Sequence, residues 1–233
     1  MSDKKLTLRI NRSKIATVLI YSVIVLVILN IIGLFLRFGL GYEYVKGFVP
    51  KFDFDYENNV PTYFSSVLLL IVSCLTYWIS MSAKHAGTRY ARHWWFLSII
   101  FLFLSLDETA SLHELLIGPL RDAFNLSGIF YFSWVVVGII VVILMGGLYV
   151  KFLFGLPSTT RNGVILAGAL YLGGVIVLEL AGGHYASANG TADLGYHVLA
   201  TTEETLEMSG VVIFINTLLN HLIMNSANLH IEL

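Results

Sequence analysis

Apolar stretches of spanning length alternate with short polar loops along this chain. A helix needs about 20 predominantly apolar residues to cross the hydrocarbon core of a bilayer. The pattern predicts six such spans, at about 15–40, 61–81, 94–117, 129–154, 163–182 and 196–224. Pro61 suits the first turn of a helix, where its missing N–H is not needed. Pro119 is read as the end of the third span, and Gly155 with Pro157 as the end of the fourth. The predicted fold class is all-α: a polytopic membrane protein, a six-transmembrane-helix bundle forming a single integral membrane domain over residues 1–233.

Composition agrees with the pattern. The chain is 57% hydrophobic and 12% charged, against roughly 25% charged in a soluble domain. Its formal net charge of −1 points to no nucleic-acid partner. A single cysteine, Cys74, excludes an intrachain disulfide and any site needing several thiolates. The N-terminus lacks a cleavable signal pattern, so the first span is read as uncleaved. Basic residues accumulate on the cytoplasmic side of membrane proteins. With the N-terminus inside, Lys4, Lys5, Arg9, Arg12, Lys14, Lys84, Arg89, Arg92, Lys151 and Arg161 face the cytoplasm. Arg37, Lys46, Lys51 and Arg121 face the other side. That asymmetry, with an even number of spans, predicts both termini in the cytoplasm. His221 and His230 are expected at the cytoplasmic interface.

Two acidic stretches break the apolar rule. The third span carries Asp107, Glu108, His113 and Glu114, and the sixth carries Glu203, Glu204 and Glu207. An unpaired Asp at mid-helix costs about 2.5–3.5 kcal/mol on insertion scales, so intramembrane acids imply function by default. At 1.5 Å per residue, Asp107 lies roughly 15 Å below the outer surface and Glu114 roughly 5 Å. Glu179, near the end of the fifth span, lies roughly 5 Å down, and Glu203 to Glu207 roughly 10–16 Å. Three helices thus bring their acids to one outer-leaflet layer, flanked by His184 and His197. On a continuous helix Asp107, Ser111 and Glu114 share a face, while His113 points about 120° away from Asp107.

This set supports three readings. Carboxylate oxygen and imidazole nitrogen suit hard or borderline divalent cations. Bundle di-metal proteins gather such groups from several helices. Asp107, Glu108, His113, Glu114, Glu179, His184, His197, Glu203, Glu204 and Glu207 are the candidate metal ligands, for iron, manganese or zinc. Glu108 or Glu204 would be left as a catalytic base. The resulting function is a metal-dependent membrane enzyme, a hydrolase or oxidoreductase acting on a lipid or a small periplasmic substrate. Alternatively, a proton- or cation-coupled transporter uses such residues as a relay. In the third reading the cluster locks helices together in a structural or accessory subunit. Membrane lipids are the expected partners, and a homo-oligomer or a partner membrane subunit completing the site stays open. Asp53, Asp55 and Glu57 alternate in the first outer loop, but without the turn glycine and terminal glutamate of a calcium hand they are read as a solvated loop.

Phe52, Asp53, Phe54, Asp55, Tyr56 and Glu57, with Pro61, Thr62, Ser65 and Ser66, resemble a pattern in uncharacterised bacterial multi-pass membrane proteins. The same holds for Leu104, Ser105, Leu106, Asp107 and Glu108 with His113 and Glu114, and for Glu203, Glu204, Glu207, Met208 and Gly210. The resemblance covers most of the chain beyond the first helix. It implies a bacterial inner-membrane setting and singles out the same residues, but brings no reaction with it. The motifs of rhomboid, ceramidase-type and histidine-box desaturase proteins are not found.

Overall fold

The computed structural model describes residues 11–225, all of whose regular structure is helical. Lys4, Lys5, Arg9 and His230 lie outside the described residues. Helix α1 (Arg12–Leu34) runs into a π segment, Phe35–Gly39, and the short α2 (Phe48–Phe52) precedes α3 (Val60–His85). Then come α4 (Ala91–Ala110), a 3-10 turn (His113–Leu116) and α5 (Ile117–Phe124). Helix α6 (Trp134–Phe154) follows, then α7 (Ser158–Leu172), which a π segment (Gly173–Leu178) joins to α8 (Glu179–Asn189). Helix α9 (Leu194–Asn225) ends the described chain.

Five helical stretches are long and apolar enough to cross a membrane: Arg12–Gly39, Val60–His85, Trp134–Phe154, Ser158–Asn189 and Leu194–Asn225. A sixth crossing is reached if α4 and the following helical pair, bent by 76° at their break, count as one span. The chain is therefore an integral membrane protein. Many large apolar side chains on α1 and α6 point outward, as a lipid-facing surface requires.

The third span differs from expectation. It is not one helix through residue 117. Ser111 takes a left-handed conformation (φ 49°, ψ 41°) and breaks the chain there. That geometry costs roughly 1–2 kcal/mol for an L-residue, and Asp107 offsets it. One carboxylate oxygen accepts the backbone N–H of His113 (2.8 Å), and the other lies 3.0 Å from its Nδ1. Nor does Pro119 end a helix. It sits in the first turn of α5, where the missing N–H loses nothing.

Helices α3 and α9 form the centre, with Leu68, Val72, Met208, Ile215 and Leu218 among the most buried side chains. Two devices bring neighbours close. Gly210 faces α7 so tightly that an added Cβ would lie 2.8 Å from the Tyr171 nitrogen and 2.9 Å from the Ala167 oxygen. Between α3 and α4, serines recur every seventh residue. Ser66 and Ser105 donate to each other's backbone carbonyls (2.7 and 2.9 Å), Ser73 donates to Ser98 (2.7 Å) and Ser80 to Ala91 (2.9 Å). Small hydroxyl residues permit close approach in lipid, where apolar contact drives association weakly. Ser73→Ala should remove one of these bonds at a cost of about 0.6 kcal/mol. The measurement is a lowered unfolding midpoint in a denaturing-detergent titration.

Helix α6 stands apart. It packs closely on neither α4 nor α7, and joins the bundle mainly through the 3-10 turn and the second π segment. Near its other end, Phe152 stacks on His93 (5.2 Å between ring centroids) and meets Trp94 and Tyr149 edge-on. Between those attachments lies a cavity.

Candidate functional site

The cavity has a volume of about 630 Å³ and is walled by α4, α6, α7 and α9. Its acidic end is built by four separate stretches of chain. Asp107 and Glu108 come from the last turn of α4, His113 and Glu114 from the 3-10 turn after its break, and Glu203, Glu204 and Glu207 from α9. Glu179 comes from the start of α8, and Asp55 with Glu57 from the loop between α2 and α3.

At the mouth, one atom each from Glu57, His113 and Glu114 lies within 4.8 Å of the others. Among the described residues this is the one group of three or more His, Cys, Asp or Glu side chains with that spacing. The His113 ring rests against Trp134 (4.8 Å between centroids), with Asp107 holding Nδ1. Nε2 is then the nitrogen left for a ligand, and a carboxylate behind a metal-binding imidazole is the usual supporting arrangement. The wheel that turned His113 away from Asp107 assumed a continuous helix. The left-handed Ser111 removes that assumption and folds the imidazole back over the carboxylate.

Glu57 reaches this mouth because its loop is not a free solvated segment. Asp53 is 2% exposed and pairs with Arg37 at 3.2 Å. His197, 1% exposed, places Nδ1 3.3 Å from Asp53 and Nε2 3.1 Å from Arg37. Asn30 accepts the Phe54 N–H (3.1 Å) and donates to Thr201 (2.8 Å), tying the loop to α1 and α9. Asn59 donates to the Asp53 carbonyl (2.6 Å) and caps α3 by accepting the Thr62 N–H. The Tyr196 hydroxyl lies beside Asp55 and the Ser111 hydroxyl beside Glu57. Burial raises the Asp55 carboxyl above its ordinary range. Glu57 is exposed at the mouth, yet the protein behind it desolvates the carboxyl and raises it too, with the charge of Glu114 adding to the effect.

Deeper in, the π segment sets the wall. An added Cβ on Gly174 would lie 2.6 Å from Glu207 Cγ and 2.9 Å from the Glu203 carbonyl, so α9 presents its glutamates against that segment. π segments recur at functional sites because they re-aim side chains within a helix. Trp134 donates its indole N–H to Glu179, and Glu203 lies within hydrogen-bonding range of the same carboxylate. Glu108, Glu204 and Glu207 have no hydrogen bond of this kind.

Of the ten ligand candidates, the structure brings eight to the cavity: Asp107, Glu108, His113, Glu114, Glu179, Glu203, Glu204 and Glu207. His184 is exposed and does not line it. His197 lies behind it, in the Arg37–Asp53 cluster. The eight do not converge on one centre, since only His113 and Glu114 enter the close group. Glu57, read in the sequence as part of a solvated loop, joins the close group with His113 and Glu114. Its alternation with Asp53 and Asp55 was the available signal, but a helix-by-helix depth argument gives a loop residue no place.

A family model described as a domain of unknown function (DUF8692) matches residues 14–222. No curated protein and no solved structure matches this chain.

Proposed function

For this chain, which belongs to that family of unknown function, we propose a membrane-embedded metal-dependent enzyme acting on a lipid or a small periplasmic substrate. The observation that carries the reading is the Glu57, His113 and Glu114 group with Asp107 behind the imidazole. Two carboxylates and one imidazole leave coordination positions open, and the donor set suits iron, manganese or zinc. A metal there would supply Lewis acidity and an activated water.

The chain's own groups supply the rest. Glu57 and Glu114 hold the cation, and its charge offsets the cost of placing two carboxylates side by side. Asp107 fixes the tautomer of His113. Glu108 and Glu204, electrostatic neighbours of Glu57, stand as proton acceptors inside the cavity. Trp134 orients Glu179 at the boundary between mouth and interior. The setting we infer is a bacterial inner membrane, with the mouth towards the periplasm and both termini in the cytoplasm.

A proton or cation relay receives less support. Beyond the acids the cavity walls are apolar, with Ile100, Val142, Met145, Val150 and Leu153 in place of a second set of titratable groups. Elemental analysis of protein purified without chelators tests the proposal. About one iron, manganese or zinc per chain is the expected result, and absence of metal after supplementation with each of the three would overturn it.

A further inference from the structure

The cavity changes chemistry along its length. Nine carboxyls and one imidazole line its outer part, and no lysine or arginine lines it anywhere. Towards the other end the walls are aliphatic and aromatic, and the floor is Phe152 with Tyr149. From Glu108 to Leu97 on α4 the apolar arm is about 16 Å long at 1.5 Å per residue. An extended chain advances about 1.2 Å per bond, so the arm accommodates about a dozen carbons. Two glycines on opposite walls, Gly146 of α6 and Gly168 of α7, face open space, with nothing within 4 Å of an added Cβ.

Glu108, Glu204 and Glu207 are enclosed by protein, take no protein hydrogen bond and still look into the cavity. A metal at the mouth would engage Glu57 and Glu114 and leave these three without a partner. Unpaired acids at one end of an apolar arm complement one kind of molecule. We infer that the cavity binds a single-chain amphiphile with an amine head, the ammonium seated among Glu108, Glu204 and Glu207 and the alkyl chain lying along α4 and α6 towards Phe152. The volume, about 630 Å³, is within the usual range for one bound small molecule. An anionic head would meet nine carboxyls against the single imidazole of His113, with no lysine or arginine to offset them.

This inference rests on reading the cavity as the substrate site, and the experiment separates it from the metal proposal. Full-length protein in phosphatidylcholine nanodiscs is titrated with labelled dodecylamine, dodecanol and dodecyl phosphate, and metal content is measured on the same preparations. Dodecylamine should bind saturably, one per chain, at least tenfold more tightly than the other two. Glu204→Gln/Glu207→Gln should abolish that preference. Gly146→Phe, which fills the arm far from the mouth, should favour octylamine over dodecylamine and leave metal content unchanged. Equal binding of dodecanol, preference for dodecyl phosphate, or an unaltered chain-length preference in Gly146→Phe would each overturn the inference. Metal without amine preference would sink this inference alone. Amine binding without metal would support it and sink the metal proposal alone.

Discussion

His113→Ala is expected to reduce bound divalent metal from about one per chain to background. The variant removes the single nitrogen donor of the mouth and leaves Glu57 and Glu114 as two carboxylates that repel each other. Asp107→Asn tests the same arrangement more gently. The amide oxygen can still accept the His113 backbone N–H, so the turn is retained, but the charge behind Nδ1 is lost. Loss of such a supporting carboxylate typically costs 10–100-fold in metal affinity. Titration of chelator-stripped protein with zinc should therefore rank the parent above Asp107→Asn, and Asp107→Asn above His113→Ala. Equal affinity in all three would remove His113 from the ligand set. Because ligation requires an ionised Glu57, and its surroundings raise that carboxyl, affinity should begin to weaken at a higher pH than an ordinary glutamate would dictate as the solution is acidified.

Asp53→Ala should be the most damaging single change to stability. Asp53 and His197 are almost fully enclosed, and Arg37 spans between them. Removing one partner from a buried ion pair leaves an uncompensated charge and typically costs about 3–5 kcal/mol. The same change releases the loop that carries Glu57, so a lowered unfolding midpoint and weakened metal binding should appear together. The double change Arg37→Met/Asp53→Leu should recover much of the stability, since apolar replacement of a whole buried pair is often neutral or better. It should not restore metal binding if the ion pair is what places the loop. Thermal unfolding in detergent, followed by tryptophan fluorescence, reads the first effect, and zinc titration reads the second.

The serine ladder between α3 and α4 was present in the sequence as Ser66, Ser73 and Ser80 at a seven-residue spacing, opposite Ser105 and Ser98. It was legible in principle, because a heptad of small residues marks a helix contact in lipid. Serine departs only weakly from an apolar run, whereas a carboxylate departs from it strongly. The acids of separate helices meet in one cavity. Eight of ten candidates line one cavity because depth follows from residue count along a helix, and helix rise is nearly invariant. Rotation about the axis is less forgiving. One left-handed residue, Ser111, was enough to reverse the relation of His113 to Asp107.

Sequence alone determined the membrane class, the approximate positions of the crossings and the stretches whose acids gather, because hydrophobic length and helix rise are local properties. Only tertiary structure decided that Glu57 joins His113 and Glu114, and that His197 is withdrawn into a buried ion cluster. It also decided that α6 stands off far enough to leave an apolar arm beneath the acids. Those outcomes depend on where a loop is tied and how far apart two helices settle. The groups responsible, Asn30, Arg37, Asp53 and Thr201, lie far apart along the chain and meet only when it folds.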